Sequence, residues 1–184
     1  NYDGCRLEID APKVLLLGEN GSGKTNLMEA VSLLAPGRGL RRAKAEHLPR
    51  QTTGRADWAV SARVTSGSET VTLGTGVRAD SDGPRRVMRR DGETVSQAEV
   101  GRLFSVSWLT PRMDGIFIDS PGARRRFLDR LVIAFDPAHI GRTSRYEKML
   151  RERTTLLSEG RGDEAWLSAI EESLAESAVA VTAA

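Results

Sequence analysis

Apolar and polar residues alternate through Cys5-Arg6-Leu7-Glu8-Ile9-Asp10, the period of a strand with one buried face. Ala11-Pro12-Lys13 turns the chain into Val14-Leu15-Leu16-Leu17, a continuous apolar run suited to a strand buried on both faces. Glycines crowd residues 18–23. From Lys24 the apolar positions fall at Leu27, Met28, Val31 and Leu34, one face of a helix that Pro36-Gly37 ends. Alternation returns at Trp58, Val60, Ala62 and Val64, and again at Val71, Leu73 and Val77. Asp91-Gly92, set between Arg86-Val87-Met88-Arg89 and Thr94-Val95, predicts a tight hairpin, because both central positions need a left-handed backbone. Ser96 and Glu99 have the spacing of a capping box, and Val106-Ser107-Trp108-Leu109 reads as one more strand, closed by Thr110-Pro111.

The period then becomes helical. Ser120-Pro121 is an N-cap and first-turn pair, followed by a stripe of Phe127, Leu128, Leu131, Val132 and Phe135. Asp136-Pro137 starts a second helix that Gly160 ends. Asp163 caps a third, with Leu167, Ile170, Leu174 and Val181 at near-heptad spacing. The pattern predicts an α/β fold with a mixed β-sheet over residues 1–118, followed over 119–184 by the start of an all-helical lobe.

Composition narrows the class. With 39% hydrophobic and 28% charged residues, the 184-residue chain has material for a real core, which excludes disorder throughout. No apolar run reaches the length of a membrane-spanning helix, so no membrane partner is expected. Cys5 is the single cysteine and His47 and His139 are the two histidines; this excludes a Cys/His zinc cage and fits a reducing cytoplasm. The chain starts at Asn1 with no charged-then-apolar leader and stops inside a helical pattern, so a fragment without an export signal is expected. The isolated histidines suit surface or capping roles, and Trp58, Trp108 and Trp166 sit in apolar patterns that suit a core.

Charge is uneven. The total is +2, but residues 161–184 carry one basic and five acidic side chains. The planar fork of arginine suits phosphate, yet a GC-rich genome also raises arginine usage, so only local clusters carry weight. Residues 38–55 hold six basic residues and one acidic, which is either a solvated loop or a phosphate-contacting one. Arg124-Arg125-Arg126 has the same two readings, on a helix expected to turn Phe127 and Leu128 inward.

The chemistry lies in Gly18-Glu19-Asn20-Gly21-Ser22-Gly23-Lys24-Thr25, which fits the phosphate-binding pattern G-x-x-x-x-G-K-[ST]. Glycines let successive backbone N–H groups curl around phosphates, and the following helix points its positive end at them. Lys24 is placed to bridge the β- and γ-phosphates of a nucleoside triphosphate, and the Thr25 hydroxyl to coordinate Mg²⁺.

Asn20, third in Gly-x-Asn-Gly-x-Gly-Lys-Thr, resembles ABC-type and SMC-type ATPases rather than GTPases or small kinases. The extension Lys24-Thr25-Asn26-Leu27-Met28-Glu29-Ala30-Val31 is similar to the RecF family of bacterial DNA replication and repair ATPases. So are Asn1-Tyr2, Leu34-Ala35-Pro36-Gly37-Arg38-Gly39-Leu40-Arg41, and the stretch from Thr110-Pro111 to Arg124-Arg125-Arg126-Phe127-Leu128-Asp129-Arg130-Leu131. The resemblance implies a P-loop NTPase fold of ABC/SMC-head type. It also implies a cytoplasmic protein of DNA damage repair, replication and the SOS response, which binds gaps and single-strand/double-strand junctions in DNA. Such a protein works with RecO and RecR to help load RecA, through an ATP-dependent homodimer when full-length. An arginine after the P-loop helix couples DNA to the ATP site in SMC-like heads, which makes Arg38, Arg41 and Arg42 the candidate DNA or phosphate contacts. Another SMC-like ATPase and a small-molecule P-loop kinase are the alternatives, and a nucleotide-gated DNA clamp is a third.

Some positions depart from the family. Arg112 stands where the family offers a Gln or Glu sensor of Mg²⁺ and water, and an arginine can neither accept from water nor bind Mg²⁺; Asp114 is the neighbouring substitute. Leu131-Val132-Ile133-Ala134-Phe135-Asp136 and Ile116-Phe117-Ile118-Asp119 imitate a Walker B strand, and Leu157-Ser158-Glu159-Gly160 imitates the ABC signature. The first has a helical period, and the last is a helix end with a glycine cap. The family places both true motifs beyond residue 184, so no complete catalytic set is expected here and the fragment alone is expected to be inactive.

Overall fold

The computed structural model describes residues 2–44, 47–48, 58–80, 83–160 and 163–184, without the side chains of 78–80, 83 and 84. Asn1 and the remainder of the basic 38–55 stretch, including Arg50 and Arg55, lie outside the described residues. The chain forms two units, Asn1–Val100 and Gly101–Ala184.

In the first unit, helix α1 (Lys24–Leu33) precedes an antiparallel sheet of four strands in sequential order: β1 (Ala59–Ser66), β2 (Glu69–Asp80), β3 (Gly83–Arg90) and β4 (Glu93–Val95). The alternation in sequence becomes the two faces of the sheet: Val60, Ala62 and Val64 are half-buried, whereas Ala59, Ser61, Arg63 and Thr65 are exposed. Leu73, Met88 and Val100 are buried, as are Leu33, Leu34 and Ala35 at the end of α1, and these make the core of the unit. The β3–β4 turn is built as its sequence requires, with Asp91 and Gly92 both at positive φ (50° and 91°). Asp91 Oδ1 also accepts the Thr72 N–H at 2.8 Å. Helix α2 (Gln97–Leu103) opens with a reciprocal capping box. The Ser96 N–H donates to Glu99 Oε2 at 2.8 Å, and the Glu99 N–H donates to Ser96 Oγ at 3.2 Å.

Among the described residues the four-stranded sheet is antiparallel throughout, whereas the pattern predicts a mixed one. Residues 5–10 and 14–17, expected as strands, pair with no strand among the described residues, and Leu15 and Leu17 stand 80% and 82% exposed. Their pattern predicts burial, but a strand exists only when another backbone meets its N–H and C=O groups. Residues 106–109 form no strand either.

The second unit is helical: a 3₁₀ turn at Pro111–Met113, then α3 (Pro121–Phe135), α4 (His139–Glu159) and α5 (Glu164–Thr182). Ser120 Oγ accepts the Ala123 N–H and Asp163 accepts the Ala165 N–H, so both predicted N-caps are made. Gly160 ends α4 in the left-handed conformation, φ 63°. Helices α4 and α5 pack through buried Leu156 and Ile170 and join through Arg153 and Glu171 at 2.7 Å. Three expectations fail here. Leu128 and Phe135 of the α3 stripe are exposed, so Leu128 does not face inward. Trp166 is half-exposed rather than in the core. His139 is buried rather than superficial and pairs through Nε2 with Asp129 Oδ1 at 3.0 Å. No helix among the described residues is long and apolar enough to cross a membrane.

Candidate functional site

Residues 18–23 curl into a loop because three of its glycines, Gly18, Gly21 and Gly23, take positive φ (154°, 87° and 101°). Gly23 is the N-cap of α1, and its carbonyl accepts the N–H groups of Asn26 (2.9 Å) and Leu27 (3.1 Å), which launches the helix from the loop. A side chain at Gly23 would also collide with the Tyr2 ring, whose hydroxyl lies 2.6 Å from where a Cβ would stand. The Tyr2 hydroxyl donates to the Ser22 carbonyl at 3.4 Å. Lys24, the first residue of α1, folds back over the loop. Its Nζ donates to the carbonyls of Gly18 (2.6 Å) and Glu19 (2.7 Å) and to Ser22 Oγ (3.4 Å).

Beside the lysine lies a pocket of about 220 Å³, walled by Asn20, Gly21 and Gly23 of the loop, by Lys24, Thr25 and Asn26 of α1, and by Arg41. That is smaller than the ~300–1,000 Å³ of ordinary small-molecule sites, so it suits a phosphate chain with sugar and base outside it. Thr25 could offer its hydroxyl to Mg²⁺. No group of three His, Cys, Asp or Glu residues among the described residues could hold a metal, so the ion's remaining ligands would be phosphate oxygens and water, as is usual for Mg²⁺.

Of the three candidate arginines the structure brings only Arg41 to the pocket; Arg38 and Arg42 are exposed but do not line it. Arg41 donates from its guanidinium to Asn26 Oδ1 at 2.8 Å and from its backbone N–H to Glu29 Oε2 at 2.9 Å. Glu29 is 4% exposed, and burial holds its carboxyl above the ordinary value of 4.5 against the opposing pull of the Arg41 N–H and charge.

Arg86 of β3 was not singled out in the sequence. Its half-buried guanidinium donates to the carbonyls of Leu33, Ala35 and Gly37, and its Nε to Thr75 Oγ1 at 2.9 Å. It thus caps the C-terminal end of α1 and ties the P-loop helix to the sheet. Gln97 adds to this by accepting the Gly37 N–H at 2.9 Å. Glu29, Ser32 and Arg86 escape a sequence reading because each acts on a backbone group brought near by the fold.

In the second unit the decoys have structural work. Asp136 follows the last residue of α3, accepts from Arg142 and from the Ala138 N–H, and the Arg142 bond draws its carboxyl below the ordinary range. Asp119 accepts the Ser120 N–H at 2.6 Å. Arg124 donates to the Asp119 carbonyl at 2.7 Å, and Arg130 lies over the Trp108 ring at 4.4 Å. Arg112 and Asp114 are exposed at the 3₁₀ turn.

A glycine loop that caps a helix, a lysine folded over it and a threonine beside it define a phosphate-binding loop of the P-loop NTPase class. No family model matches the chain. It is 45% identical over 185 residues to the DNA replication and repair protein RecF of Agrobacterium fabrum, covering 100% of this chain and 49% of that protein. It is 46% identical over 177 residues to RecF of Rhizobium meliloti, covering 95% of this chain and 47% of that one. A solved structure described as the recombination mediator protein RecF-ATPrS in the RecFOR pathway superimposes with a TM-score of 0.76 at 26% identity, covering 90% of this chain and 44% of that chain. The chain is thus similar to RecF proteins along nearly its whole length and spans about half the length of the curated relatives it matches.

Proposed function

We propose that these residues are the nucleotide-binding part of an ATP-dependent DNA-binding protein of recombinational repair and replication. The observation that carries the reading is the phosphate-sized pocket between the glycine loop, Lys24, Thr25 and Arg41. ATP enters with its phosphates against the loop amides and Lys24, and Mg²⁺ binds between them and Thr25. The relative described with a bound ATPrS supports the nucleotide class. We take residues 1–118 as the ATP-binding lobe and 119–184 as part of a helical lobe. Hydrolysis is not assigned to these 184 residues, because Asp119 and Asp136, the carboxylates that imitate a water-activating group, are engaged in capping and pairing. Turnover belongs to an ATP-dependent dimer of the full-length protein. That dimer binds DNA at gaps and junctions, with Arg38, Arg41 and Arg42 as the candidate DNA or phosphate contacts and Arg41 the one at the nucleotide pocket; it acts with RecO and RecR upstream of RecA and works in the cytoplasm.

Calorimetric titration with ATP and Mg²⁺ tests the core of this reading. Binding by the chain should disappear in Lys24→Ala, which removes the fixed cation beside the β- and γ-phosphates. Equal affinity of the two proteins would end the P-loop assignment. Lys24-dependent phosphate release by this chain alone would show that Asp119 or Asp136 is a catalytic acid after all.

A further inference from the structure

We infer that Glu29 is a positioning residue for nucleotide binding, its buried carboxylate latching the loop after α1 so that Arg41 stands at the mouth of the phosphate pocket. The inference rests on the ATP-binding reading of that pocket.

Three side chains of α1 hold this loop. Glu29 Oε2 accepts the Arg41 N–H at 2.9 Å, Ser32 Oγ accepts the Leu40 N–H at 2.8 Å, and Asn26 Oδ1 accepts from the Arg41 guanidinium at 2.8 Å. Ser32 is itself oriented, since its hydroxyl donates to the Glu29 carbonyl at 2.7 Å. The loop lies flat on the helix. Gly39 has φ 71°, and a Cβ there would stand 2.9 Å from both Glu29 Oε1 and Leu33 Cδ2 and 3.1 Å from Ser32 Oγ. Only glycine satisfies both the left-handed backbone and that approach.

The choice of glutamate calls for an explanation. Catching one backbone N–H needs only a neutral acceptor, yet this carboxylate is buried and its second oxygen, Oε1, has no hydrogen-bond partner. A buried charge left half-satisfied is costly unless it serves something. What it serves is the pair of cations at the pocket. Lys24 and Arg41 share one small cavity and repel each other, and the Glu29 charge attracts the Arg41 side chain from behind. The arginine therefore keeps its station on Asn26, with guanidinium donors left over for a phosphate oxygen. Arg41 is the binding group, and Glu29 acts through it.

The test uses fluorescence titration with an N-methylanthraniloyl ATP analogue, beside limited trypsin digestion read at the bonds after Arg41 and Arg42. Arg41→Ala and Glu29→Ala should each weaken binding by about tenfold, the size of one charge-assisted hydrogen bond. The double variant should be no weaker than either single one. Glu29→Gln keeps an acceptor for the Arg41 N–H but loses the charge behind its side chain, so it should restore wild-type trypsin resistance while recovering only part of the affinity. Trypsin should cut faster in Glu29→Ala than in wild type or in Lys24→Ala, because only the first unlatches the loop. Should Glu29→Ala fail to fold, Gly39→Ala decides: it lifts the loop while leaving the carboxylate, and should weaken binding and speed cleavage alike. Wild-type affinity in either Glu29→Ala or Arg41→Ala, or losses that multiply in the double variant, would overturn the inference. Unchanged affinity in Lys24→Ala would instead sink the P-loop reading beneath it.

Discussion

Replacing Arg86 with methionine should cost the first unit more stability than any exposed arginine in the sheet. Methionine keeps much of the aliphatic stem and removes the guanidinium, so the loss is mainly polar. The carbonyls of Leu33, Ala35 and Gly37 and the Thr75 hydroxyl all face that group. A buried acceptor left without a donor costs about 1–3 kcal/mol. The site is only half-buried, so water re-solvates part of it, and the expected total is about 2–4 kcal/mol rather than the full sum. With a urea slope of about 1–3 kcal/mol/M, that lowers the unfolding midpoint by about 1–2 M. The two units can unfold separately, so the probe must report on the first. Trp58 fluorescence does so once Trp108 and Trp166 are changed to phenylalanine. Arg90→Met is the control, from the same strand but exposed and 3.6 Å from Asp91, and should stay within about 0.5 kcal/mol of the parent. Arg86→Lys should fall between, because one ammonium keeps the charge but cannot span the acceptors as a planar fork does. A loss below about 0.5 kcal/mol in Arg86→Met would refute the claim that this residue holds the end of α1.

In the full-length protein, changing Arg38, Arg41 and Arg42 together to alanine should weaken duplex binding and lower the log–log salt slope by about 0.9 for each phosphate no longer neutralised; an unchanged slope returns the cluster to solvent. The Glu29 carboxyl is raised on folding, chiefly by burial. Its contribution is thus fully present below the unfolded value near 4.5 and is lost as pH rises through the folded one. Melting temperatures should therefore fall with pH above that point in wild type and less steeply in Glu29→Gln, and parallel curves would contradict the shift. Ser96→Ala should destabilise the start of α2 by about 1 kcal/mol, read by urea unfolding, and no change would mean the capping box is ornamental.

Local chemistry was legible in the sequence. The Asp91-Gly92 turn, the Ser96–Glu99 box, the Ser120 and Asp163 caps and the glycine loop are each decided within a few residues, and the structure builds them as read. Pairing was not. Residues 14–17 have the composition of a buried strand, but composition cannot supply the neighbouring backbone. Arg86 sits in a strand whose alternation says only which face it takes, and its target carbonyls lie about fifty residues earlier. His139 looked solitary because Asp129 is ten residues away on another helix. Of the candidate site, the loop was read from its motif, and Arg41 was picked out of a basic run without a means to rank it above Arg38 and Arg42. Glu29, which ranks it, looked like one more polar residue on an amphipathic helix.

The unpaired apolar stretches also govern how the chain behaves in a tube. Leu7 and Ile9, and then Val14, Leu15 and Leu17, stand exposed on backbone that belongs to no helix or strand, the kind of surface on which another molecule's strand can template itself. Yet the two windows are short, and Asp10-Ala11-Pro12-Lys13 separates them with two charges and a proline. Neither window reaches the six or so uncharged, proline-free residues that a dry cross-β interface needs. Self-association should therefore be loose, dependent on concentration and reversible on dilution, instead of maturing into fibrils. Any light-scattering measurement of this chain needs a dilution series before a change in size is credited to nucleotide.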